Sequence, residues 1–134
     1  MIDLETWLPQ IVTTCELVAS SDAFTRTWLE GNRVITSIID FEELYEQIFG
    51  DLDSDACLVK FGKTIDDETC EAVSVFLASL RVVDAKREAD SELRDHPVLL
   101  LKSEEWRNAS QAARAVISLP QVAMHRSGRA DIQI

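Results

Sequence analysis

The segment from Ala72 to Val83 most constrains how this 134-residue chain can fold. Its apolar side chains lie almost all round a helical projection, from Val73 and Val75 through Phe76 to Leu80. A helix that is apolar on most of its circumference is typical of a protein interior. The pattern therefore predicts a central helix that is covered on several sides, capped by Thr64 or Asp66 and fraying near 87–90.

Other segments repeat the helical spacing. Trp7, Ile11 and Cys15 mark a helix from about Pro9 to Ala19, with a looser turn before it, because proline is tolerated only near a helix start. Ser103 is a good cap for a final helix whose face is rich in alanine. Trp7 and Trp106 are expected in the core, and Trp28 is expected to be partly exposed.

Gly and Pro are scarce, with four and three copies, which argues against a sheet protein made of many turns. The sequence predicts a mainly α fold: a single-domain bundle of five or six helices over residues 1–134, with a loose tail from about 124. At most one or two short strands are expected. The segments 34–39 and 98–101 are compatible with either a strand or a helical conformation.

A second feature is a run of one charge sign. From Val34 to Val59 the chain contains no Lys or Arg and carries seven carboxylates. Phe41, Leu44, Tyr45 and Ile48 follow the i, i+3, i+4, i+7 pattern of a core-facing helix, which Gly50 is expected to end. The run is therefore a folded surface, which we call the acidic face. Its members are Asp40, Glu42, Glu43, Glu46, Asp51, Asp53 and Asp55, with Tyr45 among them.

The excess negative charge is confined to one half of the chain. Residues 1–71 contain sixteen acids and four bases, whereas residues 72–134 contain eight acids and nine bases. Phosphate contacts need clustered Lys and Arg, so direct binding to nucleic acid or to an anionic membrane is disfavoured. A folded block of one sign suits a basic protein partner, although acidity also serves solubility. Tyr45 is compatible with either core packing or contact with that partner.

Motifs for catalysis, metals and cofactors are missing. The spacing Asp51-x-Asp53-x-Asp55 opens a calcium loop, but the sixth position is Ala56 and the twelfth is Gly62, so a solvated corner is favoured. No phosphate loop, nucleophile motif or metal-ligand spacing is present. We therefore expect a protein that is not an enzyme and has no cofactor.

The first residues, the apolar runs and the thiols indicate the compartment. The first five residues are acidic, which is the wrong charge for a secretory signal, and the longest apolar run is too short for a membrane span. Three widely spaced cysteines suit reduced thiols. These features predict a cytoplasmic protein.

The stretches 28–31 (Trp-Leu-Glu-Gly), 36–37 (Thr-Ser), 40–45 (Asp-Phe-Glu-Glu-Leu-Tyr) and 50–53 (Gly-Asp-Leu-Asp) resemble small acidic immunity proteins of bacterial toxin systems, of the contact-dependent growth inhibition type. The resemblance covers about residues 28–55. It implies an antitoxin that binds a cognate toxin domain, commonly a basic nuclease, in the cell that makes it. Because that group varies in fold, the resemblance implies no topology and no contact residues.

Two other function classes remain open. One is a non-catalytic helical adaptor or structural subunit, whose acidic surface only solubilises it and whose contacts are made by the alanine-rich final helix. The other, ranked last, is an enzyme with dispersed carboxylates. The sequence leaves the oligomeric state undetermined.

Overall fold

The computed structural model describes residues 3–20, 41–120 and 122, and these residues contain helices and turns but no strand. The prediction of a mainly α fold is confirmed. The segment 98–101 is helical, whereas the segment 34–39, the tail from 124, Trp28 and Asp40 lie outside the described residues. The helices are α1 (Leu4–Ser20), α2 (Phe41–Tyr45), α3 (Ser54–Phe61), α4 (Asp67–Ala89), α5 (Ser91–Asp95), α6 (Pro97–Lys102) and α7 (Glu104–Ile117).

Helix α1 begins earlier than its proline predicts. It starts at Leu4, so Pro9 lies inside it. The carboxylate of Asp3 accepts a hydrogen bond of 2.9 Å from the backbone N–H of Thr6, which caps the first turn. Trp7, fully buried in the core, fixes the same turn. Capping and burial of this turn offset the backbone hydrogen bond that proline cannot donate.

The predicted apolar stripe lies on α2 and on the residues that follow it, with Phe41, Leu44 and Ile48 buried and Tyr45 partly buried. The helix does not end at Gly50, because a π-helical segment, Glu46–Asp51, continues it. A π turn holds more residues than an α turn, so it changes the angular position of every later side chain. The acidic positions after Tyr45 therefore do not follow a regular helical projection.

A buried serine ties this segment to α1. The hydroxyl of Ser54 accepts a hydrogen bond of 3.1 Å from Nε1 of Trp7 and donates one of 2.6 Å to the carbonyl of Ile48. Ser54 is completely buried. The start of α3, the π-helical segment and α1 thus meet at one hydroxyl group.

Helix α4 runs from a predicted cap to its predicted end. The Asp66 side chain accepts from the backbone N–H of Thr69 at 3.3 Å, and the helix ends at Ala89. Its inner side is in the core, but Val75 and Val82 are 53% and 55% exposed. The expectation that α4 is covered on several sides is therefore wrong for the side with these two valines. Apolar composition alone did not distinguish a half-covered helix from a central one.

Helix α7 packs against both α4 and α1. Ala109, Ala112 and Ala113 are buried there, as close helix packing requires. The Ser110 hydroxyl lies 3.1 Å from the carbonyl of Val18 at the end of α1, and Ser103 caps α7 as predicted. Because its alanine-rich face is already buried, that face is not available for the adaptor contacts considered above.

Candidate protein-binding surface

The predicted acidic face is borne by α2, the π-helical segment and the start of α3. Its members within the described residues are all solvent-exposed acids, apart from the partly buried Tyr45. Two of the acids, Glu42 and Asp55, form ion pairs with arginines of α4. Part of the acidic face is thus paired inside the molecule, and part of it is presented to solvent.

Arg81 makes the first of these pairs. Its guanidinium forms an ion pair with the carboxylate of Asp55 and lies 4.6 Å from the ring centroid of Phe49. The hydrogen bond to Asp55 is the main reason why the pKa of Arg81 is raised. Phe49 in turn lies 4.5 Å, centroid to centroid, from Tyr45. Arginine, carboxylate and two rings therefore form one connected cluster.

Arg87 makes the second pair and is far more buried, with 8% of its surface exposed. It lies 3.0 Å from a carboxylate oxygen of Glu88 and 3.6 Å from one of Glu42. Its guanidinium is also 5.6 Å from the ring centroid of Phe41. A buried guanidinium requires such partners, because an unpaired buried charge is strongly destabilising.

A groove of about 320 Å³ lies beside Arg87. Glu42, Glu46, Asp84 and Glu88 contribute carboxylates to its lining, Tyr45 and Phe49 contribute rings, and Arg87 contributes the single guanidinium. The structure thus brings Glu42, Tyr45 and Glu46 of the acidic face together with two acids of α4. We call this hollow the acidic lobe.

Asp84 and Glu88 were not predicted as site residues. They belong to the half of the chain whose net charge is slightly positive, so the charge count gave no indication of them. A signal was present in their spacing, because residues four apart share one face of a helix. Pairing that face with the acidic face, however, required knowledge of how α4 packs against α2.

The pKa values of Asp84 and Tyr45 are raised in the acidic lobe. Burial, opposed by Arg87 and reinforced by the charges of Glu88 and Glu42, raises the pKa of Asp84. Burial also raises the pKa of Tyr45, the charge of Asp84 adds to this shift, and Arg81 opposes it. The negative charges in this lobe are therefore only partly compensated by the chain's own cations.

The remaining acids of the predicted face lie outside the acidic lobe. Glu43 is exposed on α2, and Asp51 and Asp53 are exposed at the turn before α3. Asp53 adopts the left-handed conformation, with φ of 47°, which aspartate tolerates better than most residues. Among the described residues, no group of three or more His, Cys, Asp and Glu side chains is arranged to hold a metal ion.

The three thiols differ in exposure. Cys15 and Cys57 are buried, and Cys70 is partly exposed. Burial, together with the charge of Glu16, raises the pKa of the Cys15 thiol, and burial is also the main cause of the raised pKa of Cys57. Raised thiol pKa values oppose thiolate formation, so these two cysteines are poorly reactive.

Comparisons with protein-family models, curated proteins and solved structures gave no match to this chain. Within residues 3–20, 41–120 and 122, no helix, α4 included, has the sustained apolar character of a membrane-spanning helix.

Proposed function

We propose that this chain is an immunity protein that binds and neutralises a cognate basic toxin domain, such as a nuclease, through its acidic face in the cytoplasm. The observation that carries the proposal is the excess of exposed carboxylates on α2, the π-helical segment and the following turn. Glu43, Glu46, Asp51 and Asp53 are exposed there, and in the described part of the chain no ion pair is formed by Glu46, Asp51 or Asp53.

The inhibitory mechanism follows from the chemistry of the target. A nuclease needs a cationic cleft to hold the phosphate backbone of its substrate. A folded protein that presents carboxylates to this cleft replaces the phosphates and blocks access. Charge complementarity also accelerates encounter, with association rates reaching roughly 10⁸–10⁹ M⁻¹s⁻¹ at low ionic strength. Rapid capture is useful to a cell that must neutralise a toxin before its nucleic acid is cut.

The decisive experiment uses the protein encoded directly upstream, where a toxin gene is expected. Its toxin domain is expressed in cells with and without this chain, and survival is counted. The proposal requires killing by the toxin domain alone and protection by the wild-type chain. A variant with Glu43, Glu46 and Asp51 each changed to Lys should associate more slowly and lose protection.

A matched control keeps the change in net charge but moves it elsewhere. Glu5, Glu71 and Glu104 are exposed acids outside the acidic face, and the variant with all three changed to Lys should still protect. Circular dichroism checks that both variants are folded. Full protection by the acidic-face variant at wild-type affinity would remove the acidic face from the interaction.

A helical adaptor or structural subunit is the second candidate, and one observation favours it. Val75 and Val82 are seven residues apart and exposed on α4, so an apolar strip runs along the outside of this helix. An adaptor that uses this strip would lose its partner when both valines become Ser. The immunity protein proposed here would be insensitive to that change, which separates the two functions.

A further inference from the structure

The acidic lobe continues into a second hollow. This second hollow encloses about 220 Å³, and Phe41, Leu93, Pro97 and Leu100 form its apolar wall. Arg94 lines it as well and lies 3.8 Å from a carboxylate oxygen of Glu88. Glu42, Arg87 and Glu88 line both hollows. The two are therefore adjoining parts of one groove, and we call the second one the apolar lobe.

We propose that this groove binds a segment of a partner protein in which an arginine occupies the acidic lobe and a neighbouring apolar side chain occupies the apolar lobe. The inference rests on the proposed function, because the partner is the same basic toxin domain. The inference goes further in two respects. It names the part of the acidic face that contacts the partner, and it names the side chains that the partner places there.

The charges that line the acidic lobe favour a cation as its occupant. Four carboxylates line this lobe against one guanidinium, that of Arg87. Arg87 forms its ion pairs with Glu42 and Glu88, and its charge offsets only part of the rise in the pKa of Asp84. In the described part of the chain, neither Glu46 nor Asp84 forms an ion pair within 4.0 Å. A cation entering the lobe would meet these two carboxylates, neither of which is held in an ion pair.

The rings of the acidic lobe favour arginine over lysine. Tyr45 and Phe49 both line this lobe, and Arg81 already lies 4.6 Å from the ring centroid of Phe49. Tyr45 is therefore the ring on which the partner's guanidinium would stack while it binds carboxylates in bidentate fashion. The chain shows the same arrangement twice with its own arginines. Arg81 lies over Phe49 next to Asp55, and Arg87 lies over Phe41 next to Glu42.

The apolar lobe determines what lies beside that arginine. Leu93 and Leu100 are almost fully buried at its base, and Pro97 is only partly buried. An aliphatic side chain of the partner would cover this wall and exclude water from the Arg87 ion pairs. Excluding water strengthens those charge interactions, because the local dielectric constant falls.

Four synthetic hexapeptides test the groove on the full-length chain. In a background of Gly and Ser, they contain adjacent Arg and Leu, Arg and Ser, Gln and Leu, or Lys and Leu. Binding is measured from the amide shifts of the isotope-labelled protein. The Arg-Leu peptide should shift residues of both lobes, and replacing its Leu by Ser should weaken binding roughly tenfold, as expected for one buried aliphatic side chain. The Gln and Lys peptides should bind more weakly than the Arg peptide.

A pair of variants locates the binding site. Asp84→Asn should weaken binding of the Arg-Leu peptide about fivefold, whereas Asp51→Asn removes an equal charge outside the groove and should have a much smaller effect. Equal effects of the two variants, shifts distributed over the whole acidic face, or equal binding of the Arg and Lys peptides would each overturn the proposal.

The failure of this inference is distinguishable from failure of the proposed function. If Asp84→Asn leaves toxin binding unchanged while the acidic-face variant abolishes it, the function holds and the groove is not the site of contact. If no toxin is neutralised but the Arg-Leu peptide binds the groove, the groove recognises an arginine segment in a different partner.

Discussion

Replacing Ser54 by alanine should destabilise the protein more than the loss of one small polar group ordinarily does. The Ser54 hydroxyl is completely buried and makes two hydrogen bonds, as acceptor from Trp7 Nε1 and as donor to the Ile48 carbonyl. Alanine leaves both partners buried without these bonds. Each unsatisfied buried group costs about 1–3 kcal/mol. With two such groups, we expect the free energy of unfolding to fall by about 2–6 kcal/mol.

Urea unfolding followed by tryptophan fluorescence and circular dichroism measures this loss. In thermal unfolding, Tm changes by roughly 3–5 °C per kcal/mol in a domain of this size, so the midpoint temperature should fall by at least about 6 °C. Ser74→Ala is the control, because Ser74 is an exposed serine of α4 and its loss should change stability by less than about 0.5 kcal/mol.

A double-mutant cycle with Trp7→Phe isolates the bond between the two side chains. Phenylalanine removes the indole N–H, so the Ser54→Ala change should cost about 1 kcal/mol less in that background. The reasoning is refuted if Ser54→Ala in the wild-type background is as harmless as Ser74→Ala. It is also refuted if the two changes at Trp7 and Ser54 are additive.

Two further predictions concern ionisation and thiol chemistry. The pKa of Asp84 is higher in the folded protein than in the unfolded chain, so ionising this side chain lowers the stability of the fold. The loss of stability develops as the pH rises from the usual aspartate pKa through the raised one. Asp84→Asn should therefore raise the free energy of unfolding at neutral pH, and the gain should vanish in acid; an equal gain at both pH values would contradict this cause. In the native protein, the partly exposed Cys70 should react first with Ellman's reagent, while Cys15 and Cys57 should react only on unfolding, and fast labelling of three thiols per native chain would contradict their burial.

Local signals in the sequence predicted much of the fold. Asp66 and Ser103 cap their helices as predicted, because a short polar side chain before an apolar helical run can accept a hydrogen bond from a backbone N–H of the first turn. Trp7 and Trp106 are buried as expected. Each of these predictions depends on residues close together in the chain, where spacing alone determines which side chains share a face.

The errors all concern tertiary packing. The early start of α1 depends on Trp7 reaching Ser54, 47 positions away, and this contact outweighs the unfavourable position of Pro9. The exposure of Val75 and Val82 depends on which neighbours surround α4. The candidate groove was predicted only in its α2 half, because Asp84 and Glu88 enter it through the packing of α4 against α2.

Because the segment Glu46–Asp51 is π-helical, the directions in which the following acids point depend on how many residues this segment contains, as well as on which residues they are. Deleting one residue there would allow an ordinary α turn, but it would rotate everything that follows by about 100° relative to Tyr45. The carboxylates of Asp51 and Asp53 would then point in other directions, although both residues are still present. Homologues that differ by a single insertion or deletion at this point should therefore present their acids in different directions, even when their acidic residues are identical. Under the function proposed above, such homologues would bind different toxins.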